Sequence, residues 1–232
     1  MNKKLNSLKK KKPIEARVIV DNETEERISL LLYGDVNSYS WGYDISLDVV
    51  VNALAGKSAD VIDVYINSYG GDMFEAIAIK NYLIRRPEKI VTHIDGIAAS
   101  AGSIIAMAGE EIIMPKDSEM MIHNPWTIGY GNAEDFRKLA NELDTANVTV
   151  QETYMNHFTG TREALIELLE AETWLTAEEA LSYGLATSTV ETEVIVTEPS
   201  ITETEVTELE EIETTENKAK AKGTQKVAFF NL

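Results

Sequence analysis

The chain has 232 residues, a formal net charge of −18, 44% hydrophobic residues and no cysteine. This is the composition of a globular protein long enough to bury a real core, and the absence of thiols excludes disulfides, a thiolate zinc site and a cysteine nucleophile. An acidic body lacks the basic surface that phosphates require, and no run approaches the roughly 20 apolar residues of a membrane span, so neither nucleic acid nor membrane is an expected partner.

The chain opens on "MNKKLNSLKKKKP", with six lysines in residues 1–12 and no apolar stretch after them. That pattern predicts a flexible basic arm rather than a signal peptide, and a cytoplasmic location. From residue 13 strand and helix patterns alternate. "ARVIV" and "RISLLLYG" predict strands, and "SLDVVVNALAG" a helix ending at Gly56. "DVIDVYINS" predicts a strand, and "DMFEAIAIKNYLIRRP" an amphipathic helix capped by Asp72 and stopped by Pro87. "KIVTHID" reads as a strand, "ASAGSIIAMAG" as a helix, and "EIIMP" and "EMMIHNP" as short strands. A long helix is expected over Ala133–Phe158, followed by two short ones in "TREALIELLE" and "TAEEALSYG". In the last of these, Thr176 and Glu179 form a capping box. Repeated strand–helix–strand units predict an α/β fold on a largely parallel sheet, with one domain over 13–190.

Residues 191–232 have a different character. The stretch 191–216 holds ten glutamates and no base, and 217–232 holds four lysines and no acid. The ten lysines of the two ends offset these glutamates, so the body retains the whole −18. Low complexity and uniform charge predict a disordered acidic tail. Its end, "KVAFFNL", reads as a frayed terminus or as a short docking peptide.

Four stretches bear chemistry. In "DGIAASAGSII", Ser100 follows a strand and enters a helix among small residues. It is a spacer that allows close packing, or a nucleophile beside unpaired first-turn N–H groups. In "NSYGGD", Gly70 and Gly71 turn a strand into a helix and can present N–H groups with no side chain in the way. The Gly-Lys-Ser/Thr ending of a phosphate loop is absent. In "MMIHNPW", His123 lies where the chain leaves a strand, and imidazole is the base that serine chemistry needs at neutral pH. His93 reads as a packing residue and His157 as lying on a helix face. In "EAETWL", Glu172 precedes an apolar run and could orient a histidine and stabilise its cation.

The stretch 62–190, through "YINSYGGD", "GIAASAGSIIAMAG", "MIHNPW" and "WLTAEEALSYGLA", resembles the Clp protease proteolytic subunit, ClpP. In particular it resembles the shorter ClpP-like proteases that phages and prophages encode for head maturation. The resemblance implies a ClpP/crotonase-like fold of repeated ββα units with a long protruding handle helix. It also implies a Ser-His-acid serine endopeptidase without cofactor or metal. Ser100 would be the nucleophile, His123 the base and Glu172 the acid, where the family usually has Asp. Gly71 and Ala101 would supply the oxyanion N–H groups, and Ser68, Tyr69, Gly70 and Asn124 would line the substrate. Tyr69 replaces the family's usual proline. Expected partners are protein substrates, capsid or scaffold proteins among them, and further copies of the chain in rings. The start lacks the family's axial-loop pattern, which implies action without an unfoldase. Competing readings are an ATPase-assisted degradative peptidase, a non-catalytic capsid assembly factor, an acyl-CoA enzyme of crotonase type, and a Ser-Lys protease using Lys116.

Overall fold

Aliphatic residues at every second position of "RISLLLYGDV" build the first long strand, with Ile28, Leu30 and Leu32 fully buried. The computed structural model describes residues 17–38 and 44–191. The expected basic arm at 1–12 and the acidic tail beyond 191, with its apolar end, lie outside the described residues.

Strands β1 (Arg17–Glu23) and β2 (Arg27–Val36) form an antiparallel pair. Helix α1 (Leu47–Ala53) leads to β3 (Val61–Gly71), α2 (Met73–Ile84), β4 (Lys89–Ala99) and α3 (Ala101–Ala106). After β5 (Glu111–Pro115) and β6 (Glu119–Ile122) comes α4 (Ala133–Met155), then α5 (Arg162–Glu170), β7 (Thr173–Thr176), α6 (Ala177–Ser182) and β8 (Ser188–Val190). The sheet runs β1-β2-β3-β4-β5-β8, with β6 bound to β4 and β7 bound to β6. Its pairs are parallel except β1/β2 and β6/β7, so the fold is the α/β architecture that the alternation predicts.

Ile62, Val64 and Ile66 of β3 and Ile90 and Ile94 of β4 point into one core, which α2 and α3 cover. The opposite face of the same strands is polar. There Arg27 donates to Asp63 through Nε (2.7 Å) and Nη2 (2.6 Å), and His93 Nε2 lies 2.9 Å from Asp63 Oδ1. His93 also stacks on Tyr65, with ring centroids 4.5 Å apart, so it packs as expected but within a charged network. Asp72 caps α2 as expected, accepting from the Phe74 and Glu75 N–H groups. The Thr176–Glu179 capping box of α6 is also formed.

Helix α4 has 23 residues, so it is about 35 Å long at 1.5 Å per residue. Its buried residues, Val150, Thr153 and Tyr154, all lie in its last turns, and the first turns stand in solvent. The chain leaves the helix at Asn156, short of the expected Phe158. Phe158 instead turns into the core and stacks on Tyr183. His157 is likewise past the helix, with its ring against the Met107 carbonyl at 3.2 Å.

Candidate active site

Strand β4 changes partner along its length. Val91–His93 pair with Glu111–Ile113 of β5, whereas Ile97–Ala99 pair with Glu119–Met121 of β6. Such a switch opens a crevice beyond the carboxyl ends of the strands. Ala99 pairs with Met121, and the Ser100 N–H donates to the Met121 carbonyl at 2.9 Å. Strand β7 pairs antiparallel with β6, with Thr173 opposite Ile122. Ser100, His123 and Glu172 are therefore the first residues beyond the paired ends of three adjacent strands. A cavity of about 1020 Å³ runs along them, lined by Tyr69 and Gly70 and by Leu143 and Val150 of α4.

Ser100 has φ 54° and ψ −120°, a region that residues with a side chain rarely adopt. That conformation costs on the order of 1–3 kcal/mol and persists only where the surroundings enforce it. It lifts the side chain out of the strand line toward His123, and Ser100 Oγ lies 2.7 Å from His123 Nε2. Gly70 makes the conformation possible. A Cβ there would sit 2.6 Å from the Ala99 carbonyl oxygen and 2.7 Å from Ser100 Cβ. The next N–H, that of Ala101, opens α3 and has no acceptor among the described residues.

Burial holds His123 below its ordinary pKa of 6.5, and the nearby Glu172 charge partly offsets this. The imidazole is therefore neutral at pH 7, with a lone pair for a proton. Glu172 acts through space: no hydrogen bond joins it to His123, and it too has a positive φ of 50°. A serine whose hydroxyl meets a neutral imidazole, beside a carboxylate and an unfilled backbone N–H, can attack a carbonyl and hold the resulting oxyanion.

Residues 29–193 match the sequence profile of the Clp protease family. The chain belongs to the Clp protease family. It is 33% identical over 153 residues to the ATP-dependent Clp protease proteolytic subunit 6 of Arabidopsis thaliana chloroplasts, covering 64% of this chain and 55% of that one. It is 33% identical over 152 residues to proteolytic subunit 2 of Streptomyces coelicolor, covering 62% and 69%. To proteolytic subunit 3 of Rhodococcus jostii it is 29% identical over 166 residues, covering 71% and 81%. The chain thus spans little more than half of the chloroplast relative.

The remaining candidates in this Clp protease chain separate into two groups. Tyr69, Gly70 and Gly71 line the cavity, and Gly71 packs so tightly on Val36 that a Cβ would lie 2.0 Å from its carbonyl oxygen. Ser68 and Asn124 are held by local hydrogen bonds. Ser68 is fully buried, and its Oγ accepts from the Gly70 N–H at 3.0 Å, so its side chain shapes the glycine turn. Asn124 follows His123 directly, and its N–H donates to the Leu169 carbonyl of α5 at 3.2 Å. Lys116, the candidate for a Ser-Lys pair, lies in the β5–β6 turn and binds Glu191 at 2.5 Å. Among the described residues no group of three His, Asp or Glu is placed to hold a metal, and no helix is long and apolar enough to cross a membrane. Sequence reasoning missed Ser103 and Tyr154, two buried hydroxyl residues immediately behind the serine. Their signal was a second serine three residues after Ser100 and a tyrosine four residues after Val150 on the same face of the long helix.

Proposed function

We propose that the chain is a serine endopeptidase in which Ser100 is the nucleophile, His123 the general base and Glu172 the charge that stabilises the imidazolium. The reading is carried by the 2.7 Å approach of Ser100 Oγ to His123 Nε2 at the β4–β6 switch point. His123 Nε2 takes the hydroxyl proton as Oγ bonds to the peptide carbonyl carbon. The carbonyl oxygen becomes an oxyanion facing the Ala101 N–H, with Gly71 as the second donor. His123 then returns the proton to the leaving amine, the C–N bond breaks, and an acyl-serine remains. Water, deprotonated by the same imidazole, attacks the acyl carbon; the bond to Oγ breaks, His123 returns the proton to Ser100 Oγ, and the acid is released. Glu172 lowers the energy of the cation formed in each half. Removing one oxyanion donor costs about 3–4 kcal/mol in the barrier.

Protein substrates and association with further copies of the chain follow from family membership. The finer reading is a head maturation protease that cuts capsid or scaffold proteins without an unfoldase, and it rests on the resemblance of 62–190 to phage-encoded ClpP-like proteases alone. The names of the relatives, all ATP-dependent subunits, favour a second reading, ATPase-assisted degradation. Incubation with a scaffold protein, and separately with a casein substrate with and without a Clp ATPase and ATP, distinguishes the two. A turnover that rises sharply only with ATPase and ATP selects the second.

The chemical claim is tested by Ser100→Ala. Loss of a serine nucleophile removes about 10⁶-fold in kcat in a serine protease. Peptide cleavage should therefore fall to background in the variant. Processing at the wild-type rate by Ser100→Ala would refute the proposal.

A further inference from the structure

Directly behind Ser100, one buried hydroxyl touches three segments of the chain. Ser103 Oγ lies 2.7 Å from the Ser100 carbonyl oxygen, 3.0 Å from the Met121 carbonyl oxygen and 2.8 Å from the Tyr154 hydroxyl. Both side chains are shut away from solvent, with Ser103 at 0% and Tyr154 at 1% exposure. Neither is used in the chemistry described above.

The direction of these bonds is fixed by the acceptors. A hydroxyl has a single proton to give. Two carbonyl oxygens crowd Ser103 Oγ, and neither can donate, so the Ser103 proton must go to them. The proton is shared in a three-centre bond, mainly with the Ser100 carbonyl at 2.7 Å and also with the Met121 carbonyl at 3.0 Å. Tyr154 therefore donates to Ser103 Oγ. Burial pushes the Tyr154 phenol well above its ordinary pKa of 10, so it keeps that proton at every working pH.

A helical serine commonly back-bonds to the carbonyl three or four residues earlier, and Ser103 to Ser100 alone would be that habit. Three features go beyond it. The Ser100 carbonyl already accepts from the Ser103 N–H (3.0 Å) and the Ile104 N–H (3.2 Å), so the hydroxyl is a third donor on one oxygen. The residue so held is the one with the strained φ of 54°. The hydroxyl also lies against Met121, whose carbonyl accepts the Ser100 N–H and which precedes His123 by two residues. The backbones whose side chains must meet at 2.7 Å are thus clamped at one point, and the clamp is completed from α4, 51 residues further along.

We propose that Ser103 and Tyr154 are positioning residues: the Tyr154 hydroxyl, acting through Ser103, holds the Ser100 and His123 backbones in the register at which Oγ and Nε2 meet. The inference rests on the reading of Ser100 as nucleophile. The Tyr154 ring also forms part of the cavity wall, and Tyr154→Phe keeps that wall while removing the hydroxyl.

The experiment compares wild type, Tyr154→Phe, Ser103→Ala and the double variant. It measures kcat and KM on a peptide substrate, the rate of fluorophosphonate labelling at Ser100, and the melting midpoint. Each single variant should lose about tenfold in kcat and in labelling rate, equivalent to about 1.4 kcal/mol, with KM within twofold. The double should lose no more than the worse single, because both break the same relay. A hydroxyl that only stabilises the fold would lower the melting midpoint and leave kcat below that midpoint untouched. That result, or losses that multiply in the double, overturns the proposal. If Tyr154→Phe does not fold, Ser103→Ala carries the kcat and labelling test alone. Ser100→Ala is run alongside: labelling that persists in it overturns the nucleophile assignment itself, whereas labelling lost in it but unchanged in Tyr154→Phe overturns the relay only.

Discussion

A serine at φ 54° stays there because each alternative is blocked or less well bonded. Its N–H is tied to Met121, its carbonyl takes three donors, and the space beside its Cβ is reserved by Gly70 having none. Gly70→Ala puts a methyl 2.6 Å from backbone at a residue whose own φ is +99°, so neither partner can yield cheaply. Displacing the nucleophile by about 1 Å costs about 100-fold in rate. We expect kcat to fall by at least that much, with the melting midpoint also lowered, in paired kinetic and calorimetric measurements. The pH dependence has a definite sign. Catalysis needs neutral His123, and burial lowers its pKa, so the acid limb of the kcat/KM profile should have its midpoint below 6.5. The Glu172 charge raises that pKa. Glu172→Gln should therefore shift the midpoint to still lower pH while reducing kcat, because the imidazolium loses its partner. A through-space interaction on the order of 1 kcal/mol sets that loss at about fivefold. A midpoint that moves up, or does not move, contradicts the assigned role.

At the scale of elements, the site exists because three short connections end side by side. The long periodic elements were legible: β2, β3 and β4 through alternation of Ile, Val and Leu, α2 through its Asp72 cap, and α6 through its capping box. Ser100 and His123 were legible because each closes an apolar strand beside small or turn-forming residues. Strands β7 and β8, four and three residues long, were not. Strands that short have too few positions for a period to show, and their pairing with β6 and β5 comes from tertiary contacts. Without β7, the placement of Glu172 opposite His123 could only be borrowed from a resemblance. The inward turn of the Ser68 hydroxyl was not legible for a related reason: polar residues beside a turn of this kind look alike in the sequence, and only the fold shows which ones are buried. Helix α6 gives a stability test independent of catalysis. Thr176 Oγ1 accepts from the Glu179 N–H, and the Glu179 carboxylate accepts in return from the Thr176 N–H at 2.9 Å. Thr176→Ala should cost about 1 kcal/mol, read as a lower denaturant midpoint with an unchanged slope.

At the scale of the molecule, the most exposed apolar side chains gather where β6 leads into α4. Trp126, Ile128 and Tyr130 are 70%, 85% and 97% exposed, and Phe136 on the protruding helix is 50% exposed. Together with membership of the Clp protease family, this leads us to expect that light scattering after size exclusion gives a multiple of the 25.8 kDa chain mass. Ile128→Asp combined with Phe136→Asp should shift the population toward smaller species. A wild type that runs as a monomer across its working concentrations would refute the expectation. All of this depends on Ser100 being activated by His123, and the most direct measurement is the rate and position of fluorophosphonate labelling in wild type and His123→Ala. The account predicts a single adduct mapped to Ser100, forming at least about 100-fold more slowly in His123→Ala. An adduct at another residue, or the same rate at Ser100 without the imidazole, would contradict it.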